Sequence, residues 1–174
     1  MRNLLVSLLL VLMGTLSGNP FAWADDEKLE DIRAYLKISD NLSTSGQIEY
    51  KQIEAIKKAG FDVVVNLAPA DKVRNAMEGF LVTEQGMTYV QIPVSWQKPA
   101  LRDLDLFFNV MEANKDRKVY VHCFANMRVS VFVYLYRTLQ LGVSEEAARK
   151  DRTKIWNPST EDQWEKFIEQ ARSR

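Results

Sequence analysis

Apolar and polar positions along the chain fall into blocks whose period changes from one block to the next. Glu49 to Ala59 has helical patterning and is closed by Gly60. The run Phe61-Asp62-Val63-Val64-Val65-Asn66-Leu67 follows, β-branched and apolar up to Pro69, which predicts a buried strand. The alternation then repeats. Lys72 to Gln85 reads as a helix stopped by Gly86, Met87 to Val94 as a strand, and Leu101 to Ala113 as a helix with apolar residues at the 3.6-residue spacing. Lys118 to His122 is a third strand. Val129 to Leu141 is a strongly apolar helix with Gly142 behind it, Ser144-Glu145-Glu146 opens another with an acidic first turn, and Thr160 to Arg172 is amphipathic. The turn-rich segment Lys37 to Gln47 has room for a short hairpin before the first helix.

Strands alternating with helices predict an α/β fold: a single domain with a central, mainly parallel sheet flanked by helices. Ligands of such sheets sit at the carboxyl ends of the strands, so the residues just after Val121 are the first place to look for chemistry. The chain shows no internal repeat, low-complexity tract or linker.

The first 24 residues have a different character. Arg2 precedes the uncharged run Leu4 to Met13, and Ala22-Trp23-Ala24 stands before Asp25-Asp26-Glu27. That order reads as a signal peptide cleaved after Ala24, with an apolar core too short to serve as a spanning helix. The expected product is a periplasmic or secreted domain of residues 25–174, with no stable membrane anchor after cleavage. It carries 22 basic and 23 acidic residues, and this balance gives no reason to expect a nucleic-acid partner.

Cysteine usage sharpens the picture. An exported domain stabilised by disulfides carries paired cysteines, whereas this chain has only Cys123. The bland expectation for a lone cysteine is a small buried hydrophobe. Its surroundings point elsewhere: Val119-Tyr120-Val121-His122 is a strand, Cys123-Phe124-Ala125-Asn126-Met127 a short loop, and Arg128 lies at the start of an apolar helix. Loop amides and a helix N-terminus converge positive partial charge on one point, which suits a tetrahedral anion and lowers the pKa of a thiol. The planar guanidinium of Arg128 can take two phosphoryl oxygens. Asn126 tolerates the left-handed conformation a sharp bend needs, and Ser130 in the first helical turn can donate to a sulfur leaving group. His122 is the sole histidine, so a histidine-rich metal site is excluded, and no cofactor is implied.

His122-Cys123 through Arg128 resembles the signature loop of the protein tyrosine and dual-specificity phosphatases, with one departure. Four residues separate cysteine from arginine here, where those enzymes have five. The shorter spacer resembles a bacterial branch, the beta-lactamase-hydrolase-like phosphatase domain family. The resemblance extends to Ser45-Gly46-Gln47, Ala59-Gly60-Phe61, Val65-Asn66-Leu67, Ile92-Pro93-Val94, Tyr134-Leu135-Tyr136-Arg137 and Ile155-Trp156-Asn157-Pro158. It implies a cysteine-phosphatase-like fold and hydrolysis of a phosphorylated protein or small phosphoester. It also implies Cys123 as nucleophile, Arg128 as phosphate clamp, His122 as a neighbour ordering the loop, and Ser130 as a helper in breaking the phosphocysteine. His122, Phe124, Ala125, Asn126, Met127 and Arg128 would bind the phosphate. The general acid has no obvious counterpart, because Ser95-Trp96-Gln97 occupies the stretch where the family carries an aspartate; Asp103 is preferred over Asp105 and Asp71. Two other readings stand beside this one. Rhodanese-like sulfurtransferases share the four-residue spacing, and a phosphatase fold lacking its acid can serve as a phospho-ligand-binding module.

Overall fold

The computed structural model describes residues 27–174, and the leader expected over residues 1–24 lies outside them. Five strands form one sheet in the order β1-β2-β5-β3-β4. They are β1 (Leu36–Lys37), β2 (Leu42–Ser45), β3 (Val63–Asn66), β4 (Thr88–Gln91) and β5 (Val119–His122). Only β1 runs antiparallel, against β2; the remaining pairs are parallel. Between and after them come α1 (Ile53–Lys58), α2 (Glu78–Glu84), α3 (Leu101–Ala113), α4 (Met127–Leu139), α5 (Glu145–Ile155) and α6 (Asp162–Arg172). The single α/β domain anticipated from the alternation is the one observed. Among the described residues no helix is long and apolar enough to cross a membrane.

The pleat of the central strands divides the core in two. Val63 and Val65 of β3, with Val119 and Val121 of β5, join a large cluster containing Leu104, Phe107, Phe132, Leu135, Trp164 and Phe167. Val64 and Tyr120, the residues between them, face the opposite layer and pack with Ile53, Ile56, Phe61 and Val82. His122 and Asn66 share the parity of Tyr120 and Val64, while Cys123 belongs to the large cluster. Neighbouring residues at the end of β5 therefore address opposite sides of the sheet.

Two elements differ from the pattern reading. The helix anticipated over Lys72 to Gln85 is regular only from Glu78 to Glu84. Asp71 Oδ1 accepts the amides of Val73 and Arg74, both at 2.9 Å, and Asn75 Oδ1 accepts the amide of Asp71 at 2.7 Å. These local bonds offer the backbone a turn in place of a helical ladder. The segment from Glu49 begins as a 3-10 turn at Tyr50–Gln52 before α1. The short hairpin expected within Lys37 to Gln47 is present, with β1 turning antiparallel into β2, and β2 is an interior strand between β1 and β5, buried at every position. Its hydroxyls are satisfied locally: Ser45 Oγ donates to Gly46 O at 2.8 Å and Thr44 Oγ1 accepts from Asn126 Nδ2 at 3.0 Å.

Candidate active site

The carboxyl end of β5 turns into α4 through residues 123–126, and each flanking segment helps to fix that turn. Cys123 is fully buried at its start and donates its amide to Ser45 O at 3.3 Å. The amide of Gln47 donates to Phe124 O at 3.2 Å, and Ala125 bridges to Gly46. Gly46 is needed for that approach: a Cβ there would lie 3.0 Å from Arg33 O and 3.2 Å from Phe124 O. Asn126 closes the loop at φ 63°, the left-handed conformation expected of it. Its side chain does not cap α4. Asn126 Nδ2 donates to Ala34 O at 2.8 Å as well as to Thr44 Oγ1, so the helix end stays open.

Ser130 N is the first amide to find its helical carbonyl, Asn126 O at 2.8 Å. Among the described residues the amides of Phe124, Ala125, Met127, Arg128 and Val129 donate to no backbone carbonyl. These free N–H groups and the helix dipole supply the positive field that an oxyanion and a thiolate both favour.

Arg128 is nine-tenths buried, and its Nε donates to Val94 O at 3.0 Å. That bond fixes the guanidinium and leaves its two terminal nitrogens for a ligand. The group lies 5.2 Å from the ring centroid of Trp96 and 5.9 Å from that of Phe124. Burial lowers the Arg128 pKa from its ordinary value, and the adjacent Cys123 side chain, a hydrogen-bond and charge partner, opposes that shift. Trp96, which pattern reading treated only as a missing acid, is a wall of this site. Its ring centroid stands 5.4 Å from Trp156 and 5.1 Å from Trp164. Trp156 in turn donates Nε1 to Met127 O at 3.1 Å and to Ser130 Oγ at 3.0 Å.

Arg74 forms the other side of the mouth. Its guanidinium lies 3.8 Å from the Phe124 ring centroid and is gripped by Asp71 Oδ2, with Nε at 3.0 Å and Nη2 at 2.8 Å. The amides of Arg74 and Val73, then the Arg74 side chain, hold the Asp71 carboxyl below the ordinary carboxylate range. Beside Arg74 opens a cleft of about 290 Å³ lined by Gln47, Ile48, Glu49, Tyr50, Val73 and Arg74. Nothing in the sequence marked Arg74, since an arginine in a turn reads as a solvated charge.

The structure brings His122, Cys123, Phe124, Ala125, Asn126, Met127, Arg128 and Ser130 into one strand-loop-helix unit. The hydroxyl of Ser130 donates to Met127 O at 2.8 Å, so in this arrangement its proton is directed at its own helix. Asp103 stands apart from that unit, in the first turn of α3, buried, with its carboxylate 3.4 Å from Arg102. Asp105 pairs with Arg174 at 2.8 Å.

Residues 27–170 match the family model described as DSP-PTPase phosphatase fused to NAD+ kinase. No curated protein sequence matches the chain. A solved protein of Shewanella putrefaciens CN-32, described as a candidate phosphatase (DUF442), is 38% identical, with a TM-score of 0.76 over 83% of this chain and 95% of that one. Two more distant structures share the fold. Pseudomonas aeruginosa TpbA, in a cysteine-to-serine form complexed with phosphotyrosine, is 14% identical with a TM-score of 0.64, covering 86% of this chain and 90% of its own. The core catalytic domain of the Saccharomyces cerevisiae PP-IP phosphatase SIW14 is 13% identical with a TM-score of 0.65, covering 79% and 85%. Reading the strand-loop-helix unit together with a family match over nearly all of the described residues, we conclude that this chain belongs to the protein tyrosine and dual-specificity phosphatase family.

Proposed function

We propose that this phosphatase works through Cys123 as a nucleophile, by two-step hydrolysis of a phosphomonoester. The observation that carries the proposal is the Arg128 guanidinium, anchored on Val94 O beside the Cys123 side chain, at a helix end whose amides are unpaired. In the first step the Cys123 thiolate attacks phosphorus and the bond to the leaving oxygen breaks, with the equatorial oxygens held by Arg128 and the loop amides. Water then attacks the phosphocysteine, inorganic phosphate leaves, and the thiolate is restored. Asn126 fixes the bend, and His122 orders the strand end from which the nucleophile projects. Ser130 assists the sulfur as leaving group once its hydroxyl turns from Met127 O.

Asp103 is the proposed donor of the proton to the leaving oxygen. The two other candidates have tighter commitments: Asp71 is held ionised by the Arg74 segment and Asp105 is paired with Arg174 at 2.8 Å, against 3.4 Å between Asp103 and Arg102. The substrate is a phosphorylated protein or small phosphoester whose non-phosphate part extends into the cleft between Tyr50 and Arg74. Export is part of the same proposal. A leader removed after Ala24 would deliver the domain to the periplasm or beyond, and N-terminal sequencing of the native protein would find Asp25 first.

The test is hydrolysis of an aryl phosphate by the wild type beside Cys123→Ser, under reducing conditions. Turnover should vanish in the variant while inorganic phosphate still binds. Equal turnover in both would remove Cys123 from the mechanism, and phosphate binding without turnover in either would favour the phospho-ligand-binding module.

A further inference from the structure

Behind the Cys123 loop, on the opposite face of the sheet, lies a buried carboxylate that the chemistry above does not use. Glu78, the first residue of α2, and His122, the last of β5, are both fully buried. His122 Nε2 stands 2.9 Å from Glu78 Oε1, though off the line of a hydrogen bond, and Nδ1 has no partner among the described residues. Three donors converge on the same carboxylate. Asn66 Nδ2 reaches Oε1 at 2.8 Å, Tyr89 OH reaches Oε1 at 3.0 Å, and Gln47 Nε2 reaches Oε2 at 2.8 Å. Burial first, then the Glu78 charge, raises the pKa of Tyr89, which keeps its hydroxyl a donor.

The placement of these groups gives the cluster a direction. A buried carboxylate is costly unless it is fully hydrogen-bonded, and one that merely stapled α2 to the sheet would be replaceable by apolar packing. Here one oxygen faces the residue before Cys123. The other holds Gln47, whose own amide fixes Phe124 O in the loop and whose side chain also reaches Arg74 O at 3.1 Å. Glu78 thus touches both strands of the cradle around the sulfur without touching the ligand site.

We propose that Glu78 is a positioning residue of the phosphatase site: it sets the orientation of His122 with one oxygen and the pitch of the Phe124 segment, through Gln47, with the other. The inference rests on Cys123 being the nucleophile. Asn66, the last residue of β3, and Tyr89, within β4, hold the carboxylate in register with the sheet.

The experiment compares Glu78→Gln and Tyr89→Phe with the wild type in the full chain. Glu78→Gln keeps the shape but replaces an acceptor with a donor facing Gln47 or His122. Its kcat on an aryl phosphate should fall about tenfold or more, with KM and the Kd for inorganic phosphate within about threefold. Tyr89→Phe, which removes one donor, should show the same split at smaller size, and it decides alone if Glu78→Gln does not fold. A kcat within about threefold of wild type in the folded variants would overturn the proposal, as would a loss of kcat matched by equal losses in phosphate binding. The rate of Cys123 alkylation by iodoacetamide separates this from failure of the functional reading, because it needs no turnover. Slower alkylation in Glu78→Gln, still protected by phosphate, would support the positioning role even in an enzyme without measurable activity, and unchanged alkylation would refute it.

Discussion

Trp96→Leu tests whether the wall beside Arg128 is part of the site or only part of the core. The indole contacts Trp156 and Trp164 at ring-centroid separations of 5.4 and 5.1 Å and lies 5.2 Å from the Arg128 guanidinium carbon. Two aromatic pairs and one cation–π contact are together worth about 3 kcal/mol beyond the apolar area that leucine retains. For a domain of this size that corresponds to a melting midpoint lower by roughly 6–12 °C. The catalytic effect is separate and smaller. Arg128 keeps its bond to Val94 O but loses the face against which it rests, and about 1 kcal/mol of positioning corresponds to about a fivefold drop in kcat/KM. Thermal unfolding and aryl phosphate hydrolysis, both on the purified variant and the second well below its midpoint, read the two effects independently. A destabilised variant with undiminished kcat/KM would show that Val94 O alone sets the guanidinium, and the wall argument would fall.

Arg128→Lys leaves Val94 O without its buried donor and offers a point charge in place of a planar fork, so kcat/KM should drop about 10²- to 10³-fold in the same assay. Asp103→Asn should cost about 10²-fold or more on alkyl phosphates and little on an activated aryl phosphate, whose leaving oxygen needs no proton; equal effects on both would reassign the acid. Gly46→Ala would press a methyl group against Arg33 O and Phe124 O, so turnover should fall about tenfold, for a stability cost of about 1–3 kcal/mol. Retention of full activity in that variant would mean that the loop tolerates displacement.

Much of this architecture was legible because it follows from period and punctuation. Val63 to Asn66 and Val119 to His122 are uniformly buried, and the runs that announced them are correspondingly apolar. The limits of Leu101–Ala113 agree with the spacing of its apolar residues. The hairpin of residues 37–47 was legible from its turn residues, but the interior position of its polar strand Leu42–Ser45 was not, because burial there is sustained by hydroxyl hydrogen bonds, which leave no hydrophobic signature. Arg74, Trp96 and Glu78 escaped for a related reason: the first and last follow β3 and Trp96 follows β4, and one chain read in order does not reveal which strand ends meet. Several of the short segments of family resemblance meet around the loop. Gly46 and Gln47 touch the loop backbone, Asn66 holds Glu78, and Trp156 binds Met127 O.

The same contacts tether the loop in which four residues separate Cys123 from Arg128. A loop with one residue fewer has less slack with which to present its amides. This one is joined to the neighbouring chain along its length, with Cys123 bonded to Ser45, Phe124 to Gln47 and Ala125 bridged to Gly46, before Asn126 reverses it into α4 at φ 63°. Its shape is therefore set by the residue 45–47 segment as much as by its own sequence. The pleat of β5 then separates two tasks, turning Cys123 toward the α4 layer and His122 toward the α2 layer. Substitutions behind the sheet should consequently change the rate of the chemical step more than the binding of the anion, because they alter how the cradle is held while leaving in place the amides and guanidinium proposed to grip the phosphate.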